Sequence, residues 1–143
     1  MENVKIRKLS SDAIIPTRAD ADSAGYDLYA NEDMYIESGK TMKISTGIAM
    51  AIPKGYFGGI YARSGLSTKE GLRPSNCVGV IDSSYRGEII VALYNDSASL
   101  RFVEKGQRIA QIIFAPYLPC ELEEVEILDP TERGEGGFGH SGK

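Results

Sequence analysis

Asp82 is a side chain in this sequence that could activate water. It sits in Asn76-Cys-Val-Gly-Val-Ile-Asp-Ser-Ser-Tyr-Arg-Gly-Glu88, where Asn76, Asp82 and Tyr85 interrupt apolar residues. A carboxylate at an apolar edge can serve as a general base. An Asn amide both donates and accepts, so it can match the N–H and C=O edge of a pyrimidine, and a Tyr ring offers a flat wall for a sugar. The segment reads as a hairpin or strand pair. Its centre reads equally as a plain turn, because Asp82-Ser-Ser-Tyr-Arg-Gly is rich in turn formers and Asp82 can close an Asx-turn.

Three further segments carry chemical potential. In Ala62-Arg-Ser-Gly-Leu-Ser-Thr-Lys69 a strand runs into a short helix through Arg-Ser-Gly. That gathers backbone N–H groups, the Ser64 hydroxyl and the Arg63 guanidinium into an anion site in outline, and Gly65 permits close approach. Ser-capped helix starts also occur without ligands, and no GxxxxGK[ST] pattern is present. In Ala24-Gly-Tyr-Asp-Leu-Tyr-Ala30, alternation sets Asp27 on the face opposite Tyr26 and Leu28, where it could simply meet solvent. In Gly106-Gln-Arg-Ile-Ala-Gln-Ile-Ile-Phe114, Gln111 needs a hydrogen-bond partner, most simply the main chain. Arg108 reads either as a surface cation or as the partner of a buried carboxylate. Finally, Arg133 to Lys143 holds five glycines around Phe138. Fixing such a segment costs about 1–2 kcal/mol per residue, so external contacts must order it, or it stays a loose tail.

The elements that must position these residues are strands. Val4 and Ile6 alternate, as do Met42 and Ile44, and Ile48, Met50 and Ile52 continue beyond Gly47, which suits a bulge or change of face. Ile89–Leu93 and Ile109–Phe114 read as strands covered on both sides, and Val125 and Ile127 as a half-exposed one. Turn signals fall at Glu37-Ser-Gly-Lys40, Pro53-Lys-Gly55, Arg86-Gly87 and Lys105-Gly106. One short helix fits, from near Ser64 to Gly71, with Ser64 or Ser67 as cap. The expectation is an all-β sandwich or jelly-roll barrel in a single domain, 1–143, with a body of 1–132 and an arm of 133–143.

Composition narrows the function. A formal net charge of −4 argues against stable nucleic-acid binding through a broad basic field, so an anionic ligand must be held locally. Cys77 and Cys120 form no CxxC pair, His140 is the lone histidine, and no run approaches a signal peptide or membrane span. A reduced, cytoplasmic protein without a membrane partner is the default expectation.

In order, AGYDL, ARSGLS, NCVGVIDSSYRGE, GQRIAQIIF and RGEGGFGHSG resemble the five motifs of the trimeric dUTP pyrophosphatase family, from Ala24 to Gly142. The resemblance implies a homotrimer of distorted jelly-roll subunits whose interface sites are closed by swapped C-terminal arms. It implies hydrolysis of dUTP to dUMP and pyrophosphate, with Asp82 activating the water that attacks the α-phosphorus. Asn76 and the main chain of Gly79, Val80 and Ile81 would read uracil, and Tyr85 would pack under deoxyribose. Arg63, Ser64, Gly65 and Gln111 would hold the phosphates. From the arm, Phe138 would cover uracil, while Arg133, Gly139, His140 and Ser141 would complete the phosphate end. Mg2+ would be held mainly by the triphosphate, with Asp27 acting through water. The same fold also serves a dCTP deaminase-like enzyme, and a non-catalytic nucleotide-binding regulator is a further alternative. Ser84 departs from the Asp or Gly of many relatives, but it is not the base position.

Overall fold

The computed structural model describes residues 3–139 and 141. Ten strands alternate with tight turns: β1 (Lys5–Lys8), β2 (Tyr26–Tyr29), β3 (Met34–Ile36), β4 (Thr41–Ala51), β5 (Tyr56–Tyr61), β6 (Leu72–Pro74), β7 (Gly79–Ile81), β8 (Glu88–Asn95), β9 (Arg101–Val103) and β10 (Arg108–Pro116). One sheet has the order β1-β4-β8-β6, a second β2-β10-β5-β7, and β3 pairs with β9. All pairings are antiparallel, and the inner faces close on one connected cluster that includes Leu28, Ile44, Leu72, Leu93, Ile109 and Ile112. The result is a distorted jelly-roll barrel. Among the described residues no helix is long and apolar enough to cross a membrane.

The turns follow from their glycines. Gly39, Gly55 and Gly106 take positive φ, where a side chain is strained, beside the turn hydrogen bonds Lys40 N–H to Glu37 O, Tyr56 N–H to Pro53 O and Gln107 N–H to Glu104 O. Gly47 forms a break inside β4, because the register with β8 shifts between Ser45 and Ala49. The Glu88 carboxylate fills that break, accepting from the Gly47 N–H at 2.8 Å and from the Ser45 hydroxyl. The buried Asn95 is fully employed as well: its amide donates to Ile36 O and Ser99 O, and its oxygen accepts from Ser97.

Several sequence expectations are corrected. The short helical segment begins at Ser64, as expected, and continues into the wide turn Leu66–Glu70, but no side chain caps it, so neither Ser64 nor Ser67 serves as its cap. Gly71 does stop it, at φ 70°. β8 is not covered on both faces, since Ile89, Val91 and Leu93 are buried while Ile90 is exposed. β7 and β8 are no hairpin: β7 pairs with β5 in one sheet, and β8 lies in the other. Val125 and Ile127 lie in no strand and are exposed. Cys77 and Cys120 are both free and exposed.

Gly47→Ala tests the β4 break. At φ 68° its new Cβ would meet Asn31 Nδ2 at 2.8 Å and the Ala13 Cβ at 2.9 Å. The expected loss is about 1–3 kcal/mol, read as a lower urea midpoint at unchanged m and fixed protein concentration. An unchanged midpoint would contradict it.

Candidate active site

The register of three strands builds an anion-binding face. Asp27 on β2 pairs with Gln111 on β10, and Gln111 pairs with Tyr61 on β5, so their side chains share one side of the sheet. Two residues after β5 comes Arg63. Its Nε donates to Asp27 Oδ1 at 2.8 Å, which fixes the guanidinium beside the strand ends. Arg108 Nη1 lies 3.6 Å from the other carboxylate oxygen. Asp27 is therefore not simply solvated: its side chain is 17% exposed and faces two cations. Gln111 finds the expected main-chain partner, donating from Nε2 to Ala62 O at 2.9 Å. Ser64 and Gly65 are exposed at the start of the helical turn, and a cleft joins Gly25, Asp27, Arg63, Ser64, Gly65, Arg108 and Gln111. Open N–H groups, a hydroxyl and two guanidiniums suit an anion here.

A second group forms around Asp82, which leaves β7 and starts a turn closed by the Tyr85 N–H to Asp82 O at 3.1 Å. Arg86 staples that turn, donating from Nη1 to Ser83 O and Tyr85 O. The Tyr85 hydroxyl donates to Glu88 O at 2.9 Å and holds the ring over Gly87. A Cβ on Gly87 would stand 2.4 Å from that hydroxyl oxygen, so only glycine leaves the ring where it is. Asn76 lies beside the start of β7, its amide nitrogen 3.1 Å from where a Cβ on Gly79 would be. Val80 is exposed, Ile81 is half-buried, and Asp82 opens into a cleft with Tyr56, Phe57, Ser83 and Ser84. Sequence reasoning missed Arg86 and Gly87 as supports for Tyr85. The Arg-Gly step directly after it was read only as a turn signal.

These two groups do not meet within one chain. Ile81 pairs with Gly58, so Asp82 falls level with Phe57, four residues along β5 from the Tyr61 level of Asp27. Three strand spacings also separate β7 from β2. At about 3.3 Å per residue and 4.8 Å per strand, the two carboxylates stand roughly 19 Å apart. A separate cleft, between Ile6, Ile15, Met50, Tyr56 and Phe114, is lined by neither Asp27 nor Asp82.

Among the described residues, none of the C-terminal arm lines either cleft. The Tyr117 N–H donates to Gly55 O, and the hydrogen bonds recorded beyond it stay within residues 131–136, including Arg133 Nε to Gly136 O at 2.8 Å. Phe138 is fully exposed, and Leu122, Ile127 and Leu128 are nearly so. Arg133, Phe138, Gly139 and Ser141 line a shallow hollow of their own. His140 lies outside the described residues.

Comparison with known proteins decides the family. The dUTPase family model matches residues 11–142. The chain belongs to the dUTPase family. A deoxyuridine 5'-triphosphate nucleotidohydrolase of Nautilia profundicola is 46% identical over 140 residues, covering 98% of this chain and 99% of that protein. The one of Rattus norvegicus is 44% identical over 99% of this chain and 68% of its own length. Among solved structures, the G164S variant of Staphylococcus bacteriophage 80alpha dUTPase with dUpNHpp superposes with a TM-score of 0.93, at 30% identity and full coverage of both chains. The D95N variant of phage phi11 dUTPase, described with a structural Mg(II) ion, gives 0.83 at 26% identity, covering 90% of this chain and all of that one.

Gly25 offers a sharp check on the placement of Gln111. A Cβ there would lie 2.2 Å from Gln111 Oε1, so Gly25→Ala must displace the amide. Roughly 10²-fold lower dUTPase activity is expected with the far-ultraviolet circular dichroism unchanged. Wild-type turnover would show that the Gln111 placement does not matter.

Proposed function

We propose that this dUTP diphosphatase assembles each active site between copies of the chain, with Asp82 of one copy facing Arg63, Ser64, Gly65 and Gln111 of another. The observation that carries the reading is the separation within the sheet. A general base acts on water within about 3 Å of its carboxylate, and donors to a phosphoryl oxygen work at a similar distance. Groups roughly 19 Å apart cannot serve one phosphorus, so a partner must supply one of them. Closed assemblies of identical chains are the common solution, and a homotrimer with exchanged arms fits this chain. The bare apolar side chains of the segment that leads into the arm support it, since Leu118, Leu122, Ile127 and Leu128 have no cover in their own subunit.

The reaction is in-line attack of water on the α-phosphorus of dUTP. A P–O bond forms to the water oxygen, the bond to the α–β bridging oxygen breaks, and dUMP and pyrophosphate separate. Asp82 orients the water and takes its proton. Negative charge grows on the bridging oxygen, where the Ser64 hydroxyl and the N–H groups around Gly65 donate, with Arg63 and Gln111 on the outer phosphates. Donors already aimed at that charge favour the transition state over the bound substrate. The Asn76 amide and the main chain of Gly79, Val80 and Ile81 read uracil. The Tyr85 ring, locked over Gly87, leaves no room for a ribose 2'-hydroxyl. From the arm, Phe138 covers the base, and Arg133, Gly139, His140 and Ser141 close the phosphate end and exclude water.

The donor set also suits Mg2+ in a particular way. Among the described residues no three His, Cys, Asp or Glu side chains gather as a cage, and the Asp27 carboxylate already faces two guanidiniums. That arrangement fits a hydrated ion bound chiefly to phosphate oxygens, with Asp27 accepting from its water. When bound, the ion neutralises and orders the triphosphate. A formal net charge of −4 and two exposed free cysteines favour a cytoplasmic enzyme without a stable nucleic-acid or membrane partner.

Asp82→Asn tests the chemistry, with pyrophosphate release from dUTP and magnesium as the readout. At least about a 10³-fold loss of kcat is expected, while binding of a non-hydrolysable dUTP analogue changes by less than about threefold. Normal turnover would remove the assigned base.

A further inference from the structure

The β2–β10 ladder contains an irregularity whose effect falls on one side chain. Ala110 pairs with Leu28, but the next matched pair is Arg108 with Tyr29, which leaves Ile109 inserted as a β-bulge. Side chains alternate along an unbroken strand, so counting back three residues from Gln111 would place Arg108 on the opposite, core face. The bulge cancels that step. Ile109 and Ala110 are consecutively and completely buried, and Arg108 emerges on the face of Tyr29, Asp27 and Gln111. There its Nη1 stands 3.6 Å from Asp27 Oδ2, while Arg63 Nε holds Oδ1 at 2.8 Å.

We infer that Arg108 is a positioning residue of the phosphate site, turned onto it by the bulge and acting through the Asp27 carboxylate. This rests on the proposed dUTP hydrolysis. One carboxylate between two guanidiniums is fixed at both oxygens, so Arg63 is held by its Nε with its terminal nitrogens left for phosphate. Loss of Arg108 therefore frees the carboxylate to rotate, and Arg63, held through it, loses its fixed position. At 3.6 Å the contact with Asp27 is one of charge rather than a tight hydrogen bond, so a lysine can replace it.

The experiment measures kcat and KM for dUTP with magnesium, and inhibition by dUMP, in wild type, Arg108→Gln, Arg108→Lys, Asp27→Asn and the Asp27→Asn/Arg108→Gln double variant. Arg108→Gln should raise KM for dUTP about tenfold, with inhibition by dUMP changed less than about twofold, because the outer phosphates feel the defect. Arg108→Lys should stay within about threefold of wild type, which keeps the inference testable if the Gln variant folds poorly. In the Asp27→Asn background, Arg108→Gln should cost less than about twofold, the non-additivity expected of a residue acting through another. An unchanged KM, equal weakening of dUMP, a Lys variant as impaired as Gln, or additive losses would each overturn it. If wild type itself released no pyrophosphate from dUTP, the functional reading would fail first.

Discussion

Roughly 19 Å of sheet lies between Asp82 on the β7 edge and Asp27 on the opposite β2 edge, and the distance follows from register alone. Hydrogen-bonded strands cannot slide by a few residues to bring the two together, since even a one-residue slip turns the buried faces outward. In the proposed function the catalytic chemistry is thereby divided before any side chain is chosen. One end of the sheet would bind anions and the other present a base and a pocket for a nucleoside. Assembly would join them, and the same need would account for a C-terminal segment that leaves its own barrel with its apolar residues uncovered.

Charge is organised on the same plan. The chain is acidic overall, and positive charge is concentrated locally where Arg63 and Arg108 flank one carboxylate, the place the proposed function gives to the polyphosphate. Asp27 is what makes two cations tolerable at one strand end, and they in turn fix its orientation. The Asp82 end depends on steric exclusion more than charge. Gly87 leaves space for Tyr85, Arg86 staples the turn through two carbonyl oxygens, and the ring is tied to Glu88 O. Glu88, on β8, also braces the break at Gly47 in its neighbouring strand β4. The Tyr85 turn is thus anchored to a strand with a break of its own.

Much of this was readable from the sequence, and the failures have physical reasons. Gly39, Gly47, Gly55 and Gly106 marked turns or a bulge because positive φ is a local property that glycine announces. The five motifs carried the family. The pairing of β7 with β5 rather than β8 was not legible, because Asp82 to Gly87 looks the same whether the chain turns back or crosses to another sheet. The helix has no serine cap because Ser64 already lies in its first turn, exposed beside the cleft that holds Arg63 and Gln111. Arg108 stayed ambiguous since simple alternation assigns it to the wrong face, and the Ile109 bulge has no glycine or proline to betray it. Val125 and Ile127 alternate as a strand does, but their own subunit offers them no edge.

Mixing inactive subunits tests the divided site most directly. Asp82→Asn chains and Arg63→Gln chains, each without turnover, are unfolded together, refolded as mixed assemblies and assayed for pyrophosphate release from dUTP. If every site takes its base from one copy and its phosphate face from another, random mixing leaves about a quarter of the sites with both wild-type groups and restores about a quarter of wild-type activity. If the mixture stays as inactive as its parents while mass spectrometry shows mixed assemblies, both groups belong to one chain and the composite site is wrong.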